Sequence, residues 1–141
     1  LILTPELQEL LLKMLFATVA GGIVGLEREF RNKDAGLKTF VLICSGAAIF
    51  SHLGILLGSV DPARIAAQIV TGVGFLGAGA IFKGKDRISG LTTAAFIWVV
   101  SAIGALIGIG LVEEGLLLSV GMVISVSVTG FIESLIRKVK S

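Results

Sequence analysis

Glu27, Arg28 and Glu29 stand together at the end of a long apolar run. Such a cluster is either an interfacial group solvated by water and headgroups, or a site held at the mouth of a helix bundle. Residues two apart do not share a helix face, so at most one of the two carboxylates points inward, and Glu27 is nearer the apolar segment. Ionisable groups at membrane depth mark functional positions. A second constellation is Asp61, Arg64 and Gln68. Asp61 before Pro62 fits a helix cap followed by the first helical position. A cation in the first turn, Arg64, opposes the helix dipole and calls for a partner, for which Asp61 is the local choice. Gln68 is one turn deeper on the same face, and its amide must find hydrogen bonds inside the bundle. Thr92 and Thr93 open another apolar run, where their hydroxyls serve as caps or bond back to the preceding turn. His52 and Cys44 lie within apolar stretches and read as a buried neutral imidazole and a small core residue. One histidine and one cysteine make a zinc site or a disulfide improbable. No nucleophile–base pair is apparent, so no enzyme is expected.

Gly72, Gly74 and Gly77 spell G-x-G-x-x-G. That spacing binds dinucleotides only after a strand and with an acidic residue some 20 positions on. Here the surroundings are apolar and Ile97 and Trp98 fill the distal region, so the reading is rejected. The three glycines are expected instead to thin a helix at a crowded bundle centre.

The elements that carry these residues follow from composition. Of 141 residues, 55% are hydrophobic and only 16% charged, and the mean hydropathy is +1.00. The charges fall as punctuation between long apolar stretches. Nineteen glycines would weaken helices in water, whereas membrane helices use small residues for close packing. The pattern predicts an all-α polytopic bundle, one domain over 1–141, with about five transmembrane helices near 6–26, 39–58, 63–82, 91–112 and 116–136. Five spans of about 20 residues account for roughly 100 residues. The intervening segment 83–90, with Lys83, Lys85, Asp86 and Arg87, reads as a polar turn. Glu113, Glu114 and Gly115 read as a tight connection. Outer-membrane strands alternate apolar and polar residues over about 10 positions, which these segments do not.

Lysine and arginine alternate across the loops. Four fall between helices one and two, three between three and four and three in the tail, against Arg64 alone and none in the other two loops. The N-terminus is therefore expected outside and the C-terminus in the cytoplasm. The net charge of +2 is a topology signal and no nucleic-acid footprint. No basic segment precedes Lys13, so a cleavable signal peptide is not expected. Small residues recur at helical spacing: Gly21 with Gly25, and Gly104 with Gly108. Gly121, Ser125 and Thr129 do the same on the last helix. These faces permit close helix contact, within the chain or in a dimer.

Three stretches together resemble the hydrophobic domain of the MgtC/SapB family: GGIVGLEREFRNKDAGLKT (21–39), DPARIAAQIVTGVGFLGAGAIF (61–82) and GLTTAAFIWVVSAIGALIGIG (90–110). The resemblance implies a multi-pass protein of the bacterial inner membrane, associated with magnesium homeostasis and adaptation to low magnesium, some relatives being linked to survival inside host cells. It carries the family's polar signature onto Glu27, Arg28, Glu29, Lys33, Asp61, Arg64, Gln68, Thr92 and Thr93. Lys38 departs from the arginine common in the family's GLRT motif, which weakens any bidentate contact there. Many members also carry a soluble C-terminal domain, which this sequence does not include.

Two functions are weighed on this basis. One is a regulator or scaffold that packs against another membrane protein, or against its own copy. The other is a small oligomeric transporter or channel for a cation such as magnesium, the one ion implied; no cofactor is. Magnesium wants six oxygen ligands, and the topology separates Glu27 from Asp61. The second reading therefore predicts two metal stations, Asp61 with Gln68 and Glu27 with Thr92.

Overall fold

The structure is a computed structural model that describes residues 4–58, 61–85 and 87–140; Asp86 of the expected polar turn lies outside them. Among the described residues five helices follow one another: α1 (Pro5–Phe30), α2 (Leu37–Leu56), α3 (Pro62–Gly79), α4 (Leu91–Gly108) and α5 (Val112–Lys140). Between α3 and α4, β1 (Phe82–Lys83) pairs antiparallel with β2 (Ile88–Ser89). The polar turn is thus the tip of a minimal hairpin, and α3 stops at Gly79 instead of reaching Phe82.

The helix ends are set by local chemistry. Thr4 Oγ1 accepts the Leu7 N–H at 3.3 Å and Pro5 opens α1. Asp61 Oδ1 accepts the Ala63 N–H at 3.1 Å and Pro62 opens α3. Gly90, at φ +86, precedes α4 without a side-chain cap, so the threonines that follow are not capping groups. A Cβ at Gly90 would overlap the Ala80 carbonyl oxygen. Gly110, at φ +103, turns the chain after α4, which ends earlier than its apolar run. Glu113 and Glu114 belong to the first turn of α5, where carboxylates favour the positive end of the dipole. They were expected in the connection. At the other end α1 runs one turn beyond its apolar stretch, so Glu27, Arg28 and Glu29 are helical.

The centre of the bundle is α1, α2 and α4. Ala17, Ala20 and Val24 of α1 meet Phe40, Cys44 and Ala48 of α2 and Phe96, Val100 and Ile107 of α4, all buried. Phe40 and Phe96 pack edge to face, centroids 6.1 Å apart. α5 lies against α1 and α4, and α3 against α4 and, less, α2. Large apolar side chains such as Leu42, Phe50, Phe75 and Leu117 are exposed on the outside, as a bundle solvated by lipid requires. The helices α1, α2, α4 and α5 are long and apolar enough to cross a membrane; α3 is apolar but shorter. Its 18 residues span about 27 Å, slightly less than a hydrocarbon core of about 30 Å.

Candidate functional site

Consecutive helical residues point about 100° apart, and this alone distributes Glu27, Arg28 and Glu29 to different neighbours. Arg28 points into the bundle and is 2% exposed. Its Nη2 donates to Thr93 Oγ1 of α4 at 3.0 Å, and its guanidinium carbon lies 4.2 Å from the centre of the Phe96 ring. A desolvated cation over an aromatic face gains up to about 2 kcal/mol. Its Nε is buried without a hydrogen-bond partner.

Glu27 faces α5. Its Oε1 lies 2.5 Å from Nε of Arg31, one turn on, and its side chain is 9% exposed. The contact is a close ion pair without aligned hydrogen-bond geometry, and Oε2 is buried with no hydrogen-bond partner. Arg31 Nη2 in turn donates to Ser127 Oγ of α5 at 3.3 Å. Glu29 turns to α2, where its Oε2 accepts the Leu37 N–H at 3.0 Å. A carboxylate from the preceding helix thereby caps an N-terminus whose own cap residue, Gly36, has no side chain to offer. Arg28, Glu29 and Arg31, the last paired with Glu27, fasten the end of α1 to α4, α2 and α5 respectively.

Of the two carboxylates Glu27 is the buried one and Glu29 is exposed; the side chain that goes on into the core is Arg28, for which no inward position was expected. Thr93, not Thr92, faces α1, and Thr92 is exposed. Lys33 is exposed, while its backbone N–H bonds to the Arg28 carbonyl at 3.1 Å. Asp61, Arg64 and Gln68 are all exposed, because α3 sits on the flank of the bundle and, among the described residues, no helix covers that face. Glu27 and Asp61 fall at opposite ends. The C-terminal end of α1 meets the start of α2 through Gly25 and Leu37, whereas α3 begins where α2 ends, with Ile65 against Gly54. Among the described residues no group of three or more His, Cys, Asp or Glu side chains could hold a metal ion.

The glycines separate in the same way. A Cβ on Gly21 would come 2.6 Å from the Phe40 carbonyl oxygen, and on Gly25 2.8 Å from Leu37 Cα. On Gly104 and Gly108 it would strike the carbonyl oxygens of Cys44 and Ala48. These four let α1 and α4 approach α2 to backbone contact. Gly77 keeps ordinary contact with Ala94, and Gly72 and Gly74 have open space around them. The crowded centre expected around α3 does not exist in one copy of the chain.

A second polar contact links α1 to α2 nearer the other end. Lys13, 7% exposed, places Nζ 3.0 Å from Nδ1 of His52, 2% exposed, and 2.6 Å from Glu9 Oε1. The Glu9–Lys13 pair is readable from spacing, but the histidine, 39 positions away, gave no signal of joining it. Phe96 and Ser127 were missed for the same reason, since their partners lie on other helices. Between α2, α3 and α4 an apolar cavity of about 680 Å³, lined by residues such as Gly54, Ile65, Ile69, Ser101 and Leu106, opens to the outside.

The MgtC family model matches residues 14–135. The putative magnesium transporter YhiD of Escherichia coli (strain K12) is 46% identical over 122 residues, covering 77% of this chain and 54% of that protein. Protein MgtC of Brucella abortus (strain 2308) is 43% identical over 122 residues, 86% of this chain and 50% of its own. Protein MgtC of Salmonella typhimurium (strain 14028s / SGSC 2262) is 42% identical over 106 residues, 75% and 46% respectively. The chain spans about half the length of the curated relatives it matches. No solved structure matches it.

Proposed function

The chain belongs to the MgtC family, and from that premise we propose that it is a membrane-embedded regulator or scaffold in magnesium homeostasis, acting by packing against another membrane protein. The observation that carries this reading is the outer face of α3. Arg64 and Gln68 are exposed there beside Gly72 and Gly74, around which there is open space; Thr71, also exposed, donates to the Ala67 carbonyl of its own helix. Polar side chains in hydrocarbon are costly without partners, and small residues invite a close helix. A partner helix laid on α3 meets both needs. The charged signature supports the same reading, because Glu27, Arg28 and Glu29 are engaged in holding the helices of this chain together.

One feature favours the second reading, passage of a cation. Glu27 Oε2 is buried and unpartnered, and a relative bears the name putative magnesium transporter. The basic residues of the α1–α2 and α3–α4 connections and of the α5 tail gather at one end of the bundle. Their distribution supports a cytoplasmic location for that end, in a bacterial cytoplasmic membrane, with the N-terminus outside.

Magnesium entry into vesicles, followed with an enclosed magnesium-sensitive dye, decides between the readings. Vesicles holding the purified chain are expected to match empty ones. In cells lacking the native gene, Gln68→Leu and Gly72→Leu are expected to abolish growth at low magnesium while leaving the amount of folded protein unchanged. Flux above empty vesicles that Glu27→Gln removes would overturn the regulatory reading in favour of transport.

A further inference from the structure

Inside a bilayer an exposed apolar side chain meets lipid; outside it, a row of them marks an interface. α5 has 29 residues and runs about 43 Å at 1.5 Å per residue, against a hydrocarbon core of about 30 Å. Its start is fixed beside the end of α4, where a Cβ on Gly115 would meet Ile107. The excess length therefore emerges at its C-terminal end. Gly130 lies beside the Arg31 guanidinium, level with the charged end of α1, and the helix continues beyond it to Lys140. Every described side chain from Phe131 to Val139 is exposed. Glu133, Arg137 and Lys138 put this stretch among headgroups or in water, yet it presents an apolar stripe.

The stripe has a register. Ser125, Val128, Ile132, Leu135 and Val139 recur at steps of three, four, three and four, the seam of a coiled coil, and all five are exposed. Ile132 and Val139 fall on one core position, and Val128 and Leu135 on the other. From Ile132 on, the seam has β-branched residues at the first position and leucine at the second, the combination that favours two parallel strands. Ser127 and Gly130, which meet Arg31, lie off the seam, so the seam points away from the chain's own α1. Towards the membrane centre it runs into a shallow groove of about 420 Å³ between α4 and α5, where Gly121 has open space around it. Copies of one membrane protein insert with the same orientation, because the same charged loops decide it. Two copies of α5 related by a twofold axis along the membrane normal therefore run parallel, as the seam demands.

We propose that α5 is a self-association helix: two copies of this chain pair in parallel along the seam from Ser125 to Val139. The face is distinct from the outer face of α3, and the pairing stands whether or not that face binds a partner. Site-directed crosslinking in native membranes tests it. Cys44 is the sole cysteine and is buried, so a Cys44→Ala background accepts single probes. Under mild oxidation Ile132→Cys, Leu135→Cys and Val139→Cys are expected to give at least tenfold more disulfide-linked dimer than Ser134→Cys and Arg137→Cys. Adding Leu135→Glu is expected to abolish the Val139→Cys crosslink and leave the detergent-purified chain monomeric by native mass spectrometry. Equal crosslinking at all five positions, preference for Ser134 and Arg137, or none anywhere would overturn the proposal. If Leu135→Glu fails to insert, the pattern among the single probes decides alone.

Discussion

Arg28 lies over the ring of Phe96, guanidinium carbon 4.2 Å from the ring centre, while its Nη2 donates to Thr93 one helical turn earlier on α4. The planar cation is held by a face and an edge contact at once, which an ammonium cannot reproduce. Arg28→Lys is expected to cost about 1–2 kcal/mol, the range of a desolvated cation–π contact. Thr93→Val, which strips the hydrogen bond from a buried charge, should cost about 1.5–3 kcal/mol. Because both act on one group, the double variant should lose less than the sum. Denaturant titration in detergent micelles measures the coupling, and strict additivity would show that the contact does not form.

Glu29 and Gly36 give a paired prediction. The Glu29 carboxylate caps Leu37, and a Cβ on Gly36 would occupy the place of that same carboxylate. The glutamate is flexible enough to move aside, so Gly36→Ala should displace the cap without disrupting the fold. Glu29→Ala and Gly36→Ala are each expected to lower stability by about 1 kcal/mol, and the two together by little more than one. Backbone hydrogen exchange at the first turn of α2 should rise equally in both. Unchanged protection in Gly36→Ala would remove the carboxylate from the cap.

The glycines divide by what stands opposite them. Gly104→Ala and Gly108→Ala would drive a methyl into backbone carbonyls of α2, and backbone cannot step aside. Each should cost about 1–3 kcal/mol as overpacking. Gly72→Ala, with nothing nearby in a single chain, should be neutral or stabilising by up to about 1 kcal/mol from helix propensity. Thermal unfolding in detergent separates the two groups. A destabilised Gly72→Ala in the isolated chain would mean that α3 is packed where the structure leaves it open.

The division explains what could be read in advance. Long apolar runs bounded by charges locate helices because a backbone in lipid must satisfy itself; all five were legible, with ends displaced by at most four residues. The displacements have causes that hydropathy does not register. Glu27–Glu29 are charged yet helical, since α2, α4 and α5 supply partners. Phe82 is lost from α3 to a strand pair in which it and Lys83 of the expected polar turn meet Ser89 and Ile88. The polar residues that matter at the charged end were visible as types. That Arg28 enters the core was not, because this depends on where Thr93 and Phe96 lie, 65 or more positions away. Gly21 and Gly72 look alike in sequence, and only the placement of α2 against α1, and of α3 on the flank, tells them apart.

Lys13 and His52 bind α1 to α2 near the end opposite the charged clasp, and their energetics can be isolated. The lysine is held between Glu9 Oε1 and His52 Nδ1, while Nε2 of the ring is buried without a partner. An ammonium that donates to Nδ1 requires that nitrogen to be the acceptor, which places the ring proton on Nε2. Removing either member strands the other: Lys13→Met leaves both ring nitrogens unanswered, and His52→Leu leaves a buried cation with one acceptor fewer. Each is expected to cost about 1–3 kcal/mol, the penalty for a buried polar group that loses its partner. Replacing both removes the unmet groups together, and apolar substitutes for a buried polar pair are often neutral. The Lys13→Met, His52→Leu double variant should therefore be more stable than at least one of the singles. Detergent unfolding of the four proteins measures this, with ¹⁵N imidazole shifts reporting which ring nitrogen carries the proton. If the double variant loses the full sum of the two singles, the residues act separately and the contact contributes nothing to joining the helices.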